Sequence, residues 1–440
     1  MKRVAIETLG CKANQYDSEL LKELFRQENV ACVSSHEIAD VYIVNSCTVT
    51  GKADAEARHL LRRFRRQNPA ATLVITGCYA QTQSQSLAKL EGVHYVVGNT
   101  LKPKIVEILK NKTERPTQAE VFTENVFQTN AALPLIPLHA VDQKTRVFLK
   151  IQDGCDDFCT FCLIPYARGK NRSLPPEAVV HQIQILVNEG VKEIVLTGIS
   201  LGSYGVDLSP KSDLATLVKK IDRETTLLRL RISSLEPEDV SDGLLSACQG
   251  SEKFCPHFHL PLQSGDDAIL QKMRRNYTVS YYEALIEKIH KRFPDIFIGT
   301  DVICGFPGET LKQATHTVDF LKNIIWAKLH VFPYSPRQGT AAATFLGQLP
   351  RHEILKRGYT LRMLSEERYQ QFLLSQIGKK TLALVEKGGK KALARNYVPI
   401  YFDEHHAFMP QVEIECFPSH ISQDGLLCLS KSDESLSLTS

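Results

Sequence analysis

Cys155, Cys159 and Cys162 fall within eight consecutive residues as a C-x3-C-x2-C loop. Soft thiolate ligands at such spacing select an iron–sulfur cluster or zinc. Zinc asks for a fourth ligand at regular spacing, and the chain has no second C-x2-C pair. A zinc knuckle or three buried thiols are therefore the weaker readings. Cluster cysteines usually come in fours. Three thiolates hold three corners of a cubane and leave one iron open, so a set of three suggests an iron that binds something else.

The 440 residues suffice for two or three domains with a sizeable core. Apolar content of 43% and charged content of 23% are those of a soluble globular protein. The net charge of +4 permits an RNA partner without demanding one. Twelve cysteines is a high count, yet they are not spread as in a disulfide scaffold. The first ten residues read as a β-strand, too short and interrupted for a signal peptide. No apolar run reaches membrane-spanning length. These features predict a cytoplasmic protein, not membrane-bound, whose thiols are reduced or ligate metal.

Strand and helix patterns alternate along most of the chain, which predicts an α/β fold. In the first part, strands are expected at 4–9, 41–45 and 72–76, with helices at 17–28 and 53–67. Residues 111–143 lose periodicity and read as a linker. Beyond it, strands at 147–151, 193–197, 228–232, 257–260, 296–303 and 328–332, with helices at 176–189 and 280–292, fit a complete or partial β/α barrel. A helical pattern fills 351–377. Short strands at 380–386, 396–401, 412–416 and 425–429 suggest a small OB-like β-barrel. The expected domains are 1–112, a linker at 113–140, 141–372 and 373–438, with a disordered serine-rich tail from Asp433.

A second set of cysteines, Cys11, Cys47 and Cys78, follows three of the expected strands. In a parallel sheet the carboxyl ends of strands gather at one edge, where ligands bind. Three thiols distant in sequence can converge there, and Gly10 and Gly77 fit tight turns before two of them. The competing reading is that buried cysteines act as small hydrophobes.

Together the two sets resemble the methylthiotransferase family of radical S-adenosylmethionine enzymes over nearly the whole chain. Residues 8–19 (TLGCKANQYDSE), 44–50 (VNSCTVT) and 164–169 (IPYARG) are similar to the branch that acts on threonylcarbamoyladenosine in tRNA. Lys12 after Cys11 departs from the starts typical of the isopentenyladenosine and ribosomal-protein branches. The resemblance implies two [4Fe-4S] clusters, a radical one on Cys155, Cys159 and Cys162 and an auxiliary one on Cys11, Cys47 and Cys78. It implies that one electron splits S-adenosylmethionine, and that the resulting radical abstracts hydrogen from the adenine carbon. The auxiliary cluster is implicated in sulfur supply, and a second S-adenosylmethionine gives the methyl. The chemistry belongs to cofactor and cluster, and the protein places them.

The resemblance further implies cofactor contacts at Thr197 and Gly198, at Ser233, Ser234 and Glu236, and at Asp301 and Gly305. Arg274 and Arg275 could meet a cofactor carboxylate or RNA phosphate. Cys255, His257 and His259 alternate along one strand, but the family pattern makes His259 a pocket or core residue and not a third metal ligand. The run 58–66 holds five arginines and no acid. Arg58, Arg62, Arg65 and Arg66 fall near one helical face suited to phosphate, although a solvated face is the plain alternative. The C-terminal barrel resembles a TRAM domain, whose Lys380 and Lys390 belong to a positive stripe; Asp403 and Glu404 oppose it. The implied partners are the tRNA anticodon stem-loop and an electron donor such as flavodoxin or ferredoxin, with the protein a monomer. Methylthiolation of isopentenyladenosine or of a ribosomal-protein aspartate is the alternative within this chemistry. A non-catalytic iron–sulfur RNA binder or electron carrier is the alternative outside it.

Overall fold

The computed structural model describes residues 1–112, 114–128, 132–134, 136–139, 145–402, 407–422 and 425–428. Asp403, Glu404, the tail from Asp433 and the expected boundaries at 113, 140, 141 and 438 lie outside these residues.

The first layer is a parallel sheet in the order β2-β1-β3-β4-β5-β6. Its strands are β1 (Arg3–Thr8), β2 (Ala31–Val33), β3 (Val41–Ser46), β4 (Thr72–Gly77), β5 (Tyr95–Val97) and β6 (Glu120–Phe122). Every residue of β3 is buried, as expected of a strand covered on both faces. Leu21 and Phe25 of α1 (Lys12–Gln27) pack on the face that presents Val4, Ile43 and Val74. Leu60, Leu61 and Phe64 of α2 (Gly51–Gln67) cover the opposite face, against Tyr42, Val44 and Ile75. Two expectations are corrected. Helix α1 starts at Lys12 and not at 17, because its first turn buries Asn14 among polar partners and so hides the apolar period. Strand β6 lies inside the expected linker and pairs with β5; its three half-buried edge residues carry too little pattern to be read.

Short helices α3 (Cys78–Thr82), α4 (Ser84–Ala88) and α5 (Ile105–Lys110) complete this layer. The central part begins with β7 (Arg146–Lys150) and the small hairpin β8 (Gln152–Asp153) and β9 (Arg172–Ser173), which brackets the cysteine loop and α6 (Ile164–Arg168). Parallel strands β10 (Glu193–Thr197) and β11 (Arg229–Ile232) extend β7. Strands β12 (His257–His259), β13 (Phe297–Cys304) and β14 (Lys328–Pro333) form a second parallel ladder. Single bridges Leu230↔Phe254 and Ser234↔His259 join the two ladders into a curved, partial barrel. Around it lie α7 (Pro176–Asn188), α8 (Leu214–Glu224), α9 (Asp242–Gln249), α10 (Asp267–Lys272), α11 (Val279–Arg292), α12 (Leu311–Asn323) and α13 (Arg351–Leu374). Because side chains alternate along a strand, Leu149, Ile194, Leu196, Leu230, Ile232, Phe258 and Ile298 enter the helix-covered core. The alternate positions, among them Arg146, Glu193, Arg231, His257, His259, Asp301 and His330, fall on the concave face.

The chain ends in a curled sheet of order β18-β15-β16-β17-β20-β19, with β15 (Thr381–Val385), β16 (Lys391–Ala394), β17 (Pro399–Phe402), β18 (Glu413–Cys416), β19 (His420–Ile421) and β20 (Leu426–Cys428). Residues 396–398, expected in a strand, instead make the turn before β17, where Tyr397 has φ +70°. This sheet closes one end of the barrel. Arg229 donates to the Leu393 carbonyl at 3.0 Å, Arg231 donates to the Arg395 carbonyl at 2.9 Å, and Tyr397 packs on His257 with centroids 4.4 Å apart. No described helix is long and apolar enough to cross a membrane.

Candidate metal and cofactor site

The loop from Cys155 to Cys162 is held by backbone at every turn. Gly154 has φ +83°, and any side chain there would strike the Lys170 backbone. Cys155 N donates to the Gly169 carbonyl (3.1 Å), and Thr160 N and Oγ1 donate to the Met273 and Lys272 carbonyls (3.1 and 2.8 Å). Two arginines clamp the loop from the same segment. Arg274 donates to the Phe158 carbonyl at 3.3 Å; Arg275 reaches Cys159 Sγ at 3.3 Å and Glu236 at 2.6 Å. Ile164 N points at Cys162 Sγ, 3.4 Å away. Burial, and then the neighbouring Cys159, pushes the Cys162 thiol up to about 12; Cys155 is also raised by burial.

Cys11 precedes α1, Cys47 follows β3 and Cys78 opens α3, so β1, β3 and β4, which are neighbours in the sheet, deliver three thiols to one edge. The approach is close: a Cβ on Gly10 (φ +90°) would lie 2.5 Å from Cys47 Cβ and 2.7 Å from its Sγ. Burial, then Cys78 and Cys11, raises the Cys47 thiol to about 12. Asn99 Nδ2 lies 3.6 Å from Cys78 Sγ and donates to the Ala167 carbonyl at 2.8 Å, which ties this edge to α6.

A buried charge network joins the two cysteine sites. Asp17 of α1 accepts from Lys150 (2.5 Å) and Lys102 (2.7 Å), with Arg168 at 3.4 Å. Asp153 accepts from Lys150 (2.7 Å) and Arg168 (2.8 Å). Arg168 also donates to Asn14 Oδ1 at 2.6 Å, and Asn14 in turn holds the Leu9 and Ser46 carbonyls beside Cys11 and Cys47. Burial alone would raise the Asp17 carboxyl; Lys102, Lys150 and Arg168 outweigh it and hold it far below the carboxylate range. Arg168 also feels the charge of Cys78 and Cys11, and the next residue, Gly169, accepts from Cys155. The segments 8–19 and 164–169 thus bond to each other through Arg168, a contact that neither segment's sequence reveals alone.

The expected cofactor residues are spread around the barrel mouth. Thr197 is buried at the end of β10, and Gly198 sits where a Cβ would be 2.7 Å from Gln152 Oε1. Ser233 is buried, Ser234 exposed, and Glu236 is the partner of Arg275. Asp301 Oδ1 accepts from His259 Nε2 (3.0 Å) and His330 Nδ1 (3.1 Å) on adjacent strands, which draws its carboxyl down to about 2 against the effect of burial. Gly305 (φ +74°) faces Ile354 of α13 and its amide bonds Glu309. A cavity of about 160 Å³ lies between the layers, lined among others by Val49, Phe161, Gln263, Asp301 and Phe332.

The arginine face divides. Arg58 turns to the Tyr79 hydroxyl (2.6 Å) and Arg65 pairs with Glu91 (2.5 Å), whereas Arg62 and Arg66 are exposed with no ion pair among the described residues. Lys380 is exposed and paired with Glu415 (2.5 Å); Lys390 is exposed. Cys255 and His257 are buried and belong to no set of three ligand atoms among the described residues. His259, Asp301 and His330 form the only set of three ligand atoms within 4.8 Å among the described residues. Neither cysteine trio is thus pinched around a single ion, and each is bordered by N–H donors to sulfur, as suits a larger cluster.

These residues fit two iron–sulfur clusters. The donors are all thiolate-forming, the glycines leave room only for backbone, and Arg168 and Arg275 supply positive charge at each site. The fold together with the three-cysteine loop defines a radical S-adenosylmethionine enzyme. Residues 149–321 match the family model "Radical SAM superfamily", and residues 3–98 match "Uncharacterized protein family UPF0004". The architecture is similar to that of the radical S-adenosylmethionine methyltransferase TsrM from Kitasatospora setae, whose structure holds cobalamin and a [4Fe-4S] cluster (TM-score 0.56, 16% identity, 78% of this chain and 77% of that one). Threonylcarbamoyladenosine tRNA methylthiotransferase MtaB of Aquifex aeolicus is 40% identical over 90% of this chain and 96% of its own length; that of Bacillus subtilis is 38% identical over 92% and 89%. The chain belongs to this MtaB family, whose enzymes carry two clusters.

Proposed function

We propose that this protein attaches a methylthio group to C2 of N6-threonylcarbamoyladenosine next to the anticodon of tRNA. The observation that carries the reading is the convergence of two three-cysteine sites on one seam, linked through Arg168. An electron carrier has no use for an open iron beside a second thiolate trio. When bound, the clusters and S-adenosylmethionine supply the reductive and sulfur-transfer chemistry. The chain's own residues hold the ligands. Arg275 fixes Cys159 against Glu236, Gly10 lets backbone approach the Cys47 thiol, and Gly77 lets β4 close on the Ser46 backbone beside it. The interlayer cavity beside Phe161 and Asp301 takes the base away from water.

Thr197, Gly198, Ser233, Ser234, Glu236, Asp301 and Gly305 are proposed to surround the cofactor. The C-terminal sheet acts as a TRAM domain that contacts the anticodon stem-loop through Lys380 and Lys390, while the exposed Arg62 and Arg66, unlike Arg58 and Arg65, are free to contact phosphate. The protein works in the cytoplasm as a monomer, with flavodoxin or ferredoxin as donor. The test is mass spectrometry of tRNA nucleosides from cells lacking the gene, with the gene or a C47A copy restored. Only the unaltered gene should return 2-methylthio-N6-threonylcarbamoyladenosine. No change in that nucleoside on deletion would refute the assignment.

A further inference from the structure

The concave face near the closed end of the barrel carries more positive charge than its acids neutralise. Glu193 of β10 accepts from Arg231 Nε at 2.9 Å and lies 2.9 Å from Arg229 Nε. Glu413, from the C-terminal sheet, is 3.3 Å from Arg229 and 2.8 Å from Arg395. Both carboxylates are thereby committed, and two cations remain. Arg146, first residue of β7, lies over the Tyr397 ring at 5.9 Å, and its buried Nη1 has no hydrogen-bond partner among the described residues. Lys12 enters from the first layer. Its ammonium makes no hydrogen bond or ion pair among the described residues, yet it sits within electrostatic reach of Arg146, Glu193, Arg231 and His257, on four successive strands.

Deep as it is, Lys12 keeps partial access to solvent, as does Arg146. Neither residue is fully enclosed, although the Nη1 atom of Arg146 is itself buried. Two cations on the concave face, neither held by an acid among the described residues, are placed to receive an anion, and a carboxylate suits a guanidinium beside an ammonium. Lys12 follows Cys11 directly, so this anion site adjoins an auxiliary-cluster ligand.

The N6-threonylcarbamoyl group ends in a free carboxylate; adenosine and its dimethylallyl derivative have none. We propose that Lys12 and Arg146 bind the carboxylate of the threonylcarbamoyl substituent and so select this nucleoside over those lacking an acid. The proposal rests on the substrate reading above and adds the residues that enforce it.

The test uses the full chain with both clusters loaded under anaerobic conditions. The probes are an anticodon stem-loop carrying N6-threonylcarbamoyladenosine and the same RNA with the threonyl carboxylate as its neutral methyl ester. The readout is the ratio of the two Kd values by fluorescence anisotropy, since phosphate contacts cancel in it. The unaltered protein should prefer the acid by about tenfold to a hundredfold, the worth of a charged hydrogen-bonded pair. In K12M the ratio should fall towards one through weaker binding of the acid form, with iron content unchanged. R146Q, distant in sequence from the cysteines, gives the same test should K12M load iron poorly. Ratios in both variants equal to that of the unaltered protein would overturn the proposal while leaving the substrate intact. If the unaltered protein shows no preference and methylthiolates neither RNA, the substrate reading itself fails, and this proposal with it.

Discussion

Replacing Asp17 by Asn removes one of the two carboxylates that hold Lys102, Lys150 and Arg168. Lys150 and Arg168 retain Asp153, at 2.7 and 2.8 Å. Lys102 does not, for Asp17 is its only carboxylate partner among the described residues, and its side chain is 4% exposed. The variant must either bury an unpaired ammonium, at about 3–5 kcal/mol, or fold with Lys102 neutral. The second route costs about 1.4 kcal/mol for each of the ~3 units between pH 7.5 and the ordinary lysine pKa of ~10.4, or ~4 kcal/mol. The two estimates agree, and the second fixes a pH signature. In D17N the unfolded chain carries a proton on Lys102 that the folded chain lacks, so stability climbs with pH by about 1.4 kcal/mol per unit. In the unaltered protein the Asp17 carboxyl is depressed; its contribution is complete above the ordinary carboxylate pKa and is lost only in acid, so it stays level over this range. The deficit of D17N should thus shrink from ~4 kcal/mol at pH 7.5 to ~2 at pH 9. Anaerobic urea titration would measure it, with Trp326, the single tryptophan and 4% exposed, as a fluorescent reporter. A deficit below about 1 kcal/mol, or one that does not change between the two pH values, would refute the reasoning.

G10A should displace Cys47, because the added Cβ has no room and the backbone has φ +90°; reconstituted protein should then hold about four irons in place of about eight, and full iron loading would contradict this. Burial, then Glu236, Glu238 and Asp157, raises the Asp239 carboxyl to about 7. Its protonated form favours the fold below the ordinary carboxyl pKa of ~3.9, and that benefit is lost as pH rises to about 7. The Tm advantage of D239N over the unaltered protein should therefore grow from pH 4 to 7 and level off above; a constant difference would count against the cause assigned. R62Q with R66Q should weaken tRNA binding and reduce its salt slope by about two, whereas R65Q, which removes a residue already paired with Glu91, should change it less. Equal effects would mean that Arg65 leaves Glu91 for the RNA.

Much of the chemistry could be read before the structure because cysteine spacing is local and strand ends are easy to find. Cys155, Cys159 and Cys162 announce themselves within one loop. Cys11, Cys47 and Cys78 become neighbours once β1, β3 and β4 are recognised as parallel. What escaped was whatever depends on partners far away in sequence. Asp17 and Arg168 look like surface charges until α1 and α6 meet. Asp301 meets His259 and His330 only through the register of three strands, and that register leaves no mark in any one of them. Arg58 and Arg65 share a helical face with Arg62 and Arg66, but Tyr79 and Glu91, from other elements, divide the four. The start of α1 and the whole of β6 were obscured for the opposite reason: their residues satisfy polar or edge positions and show no apolar rhythm.

Asp17 and Asp153 share three cations across the seam, which constrains movement as much as it joins. Sliding one layer past the other by an ångström or two would strand at least one charge away from water. The gap between the two cysteine sites is accordingly gauged before any RNA arrives. The nucleotide must bring its target carbon to that gap, and the bending needed to do so is asked of the RNA loop.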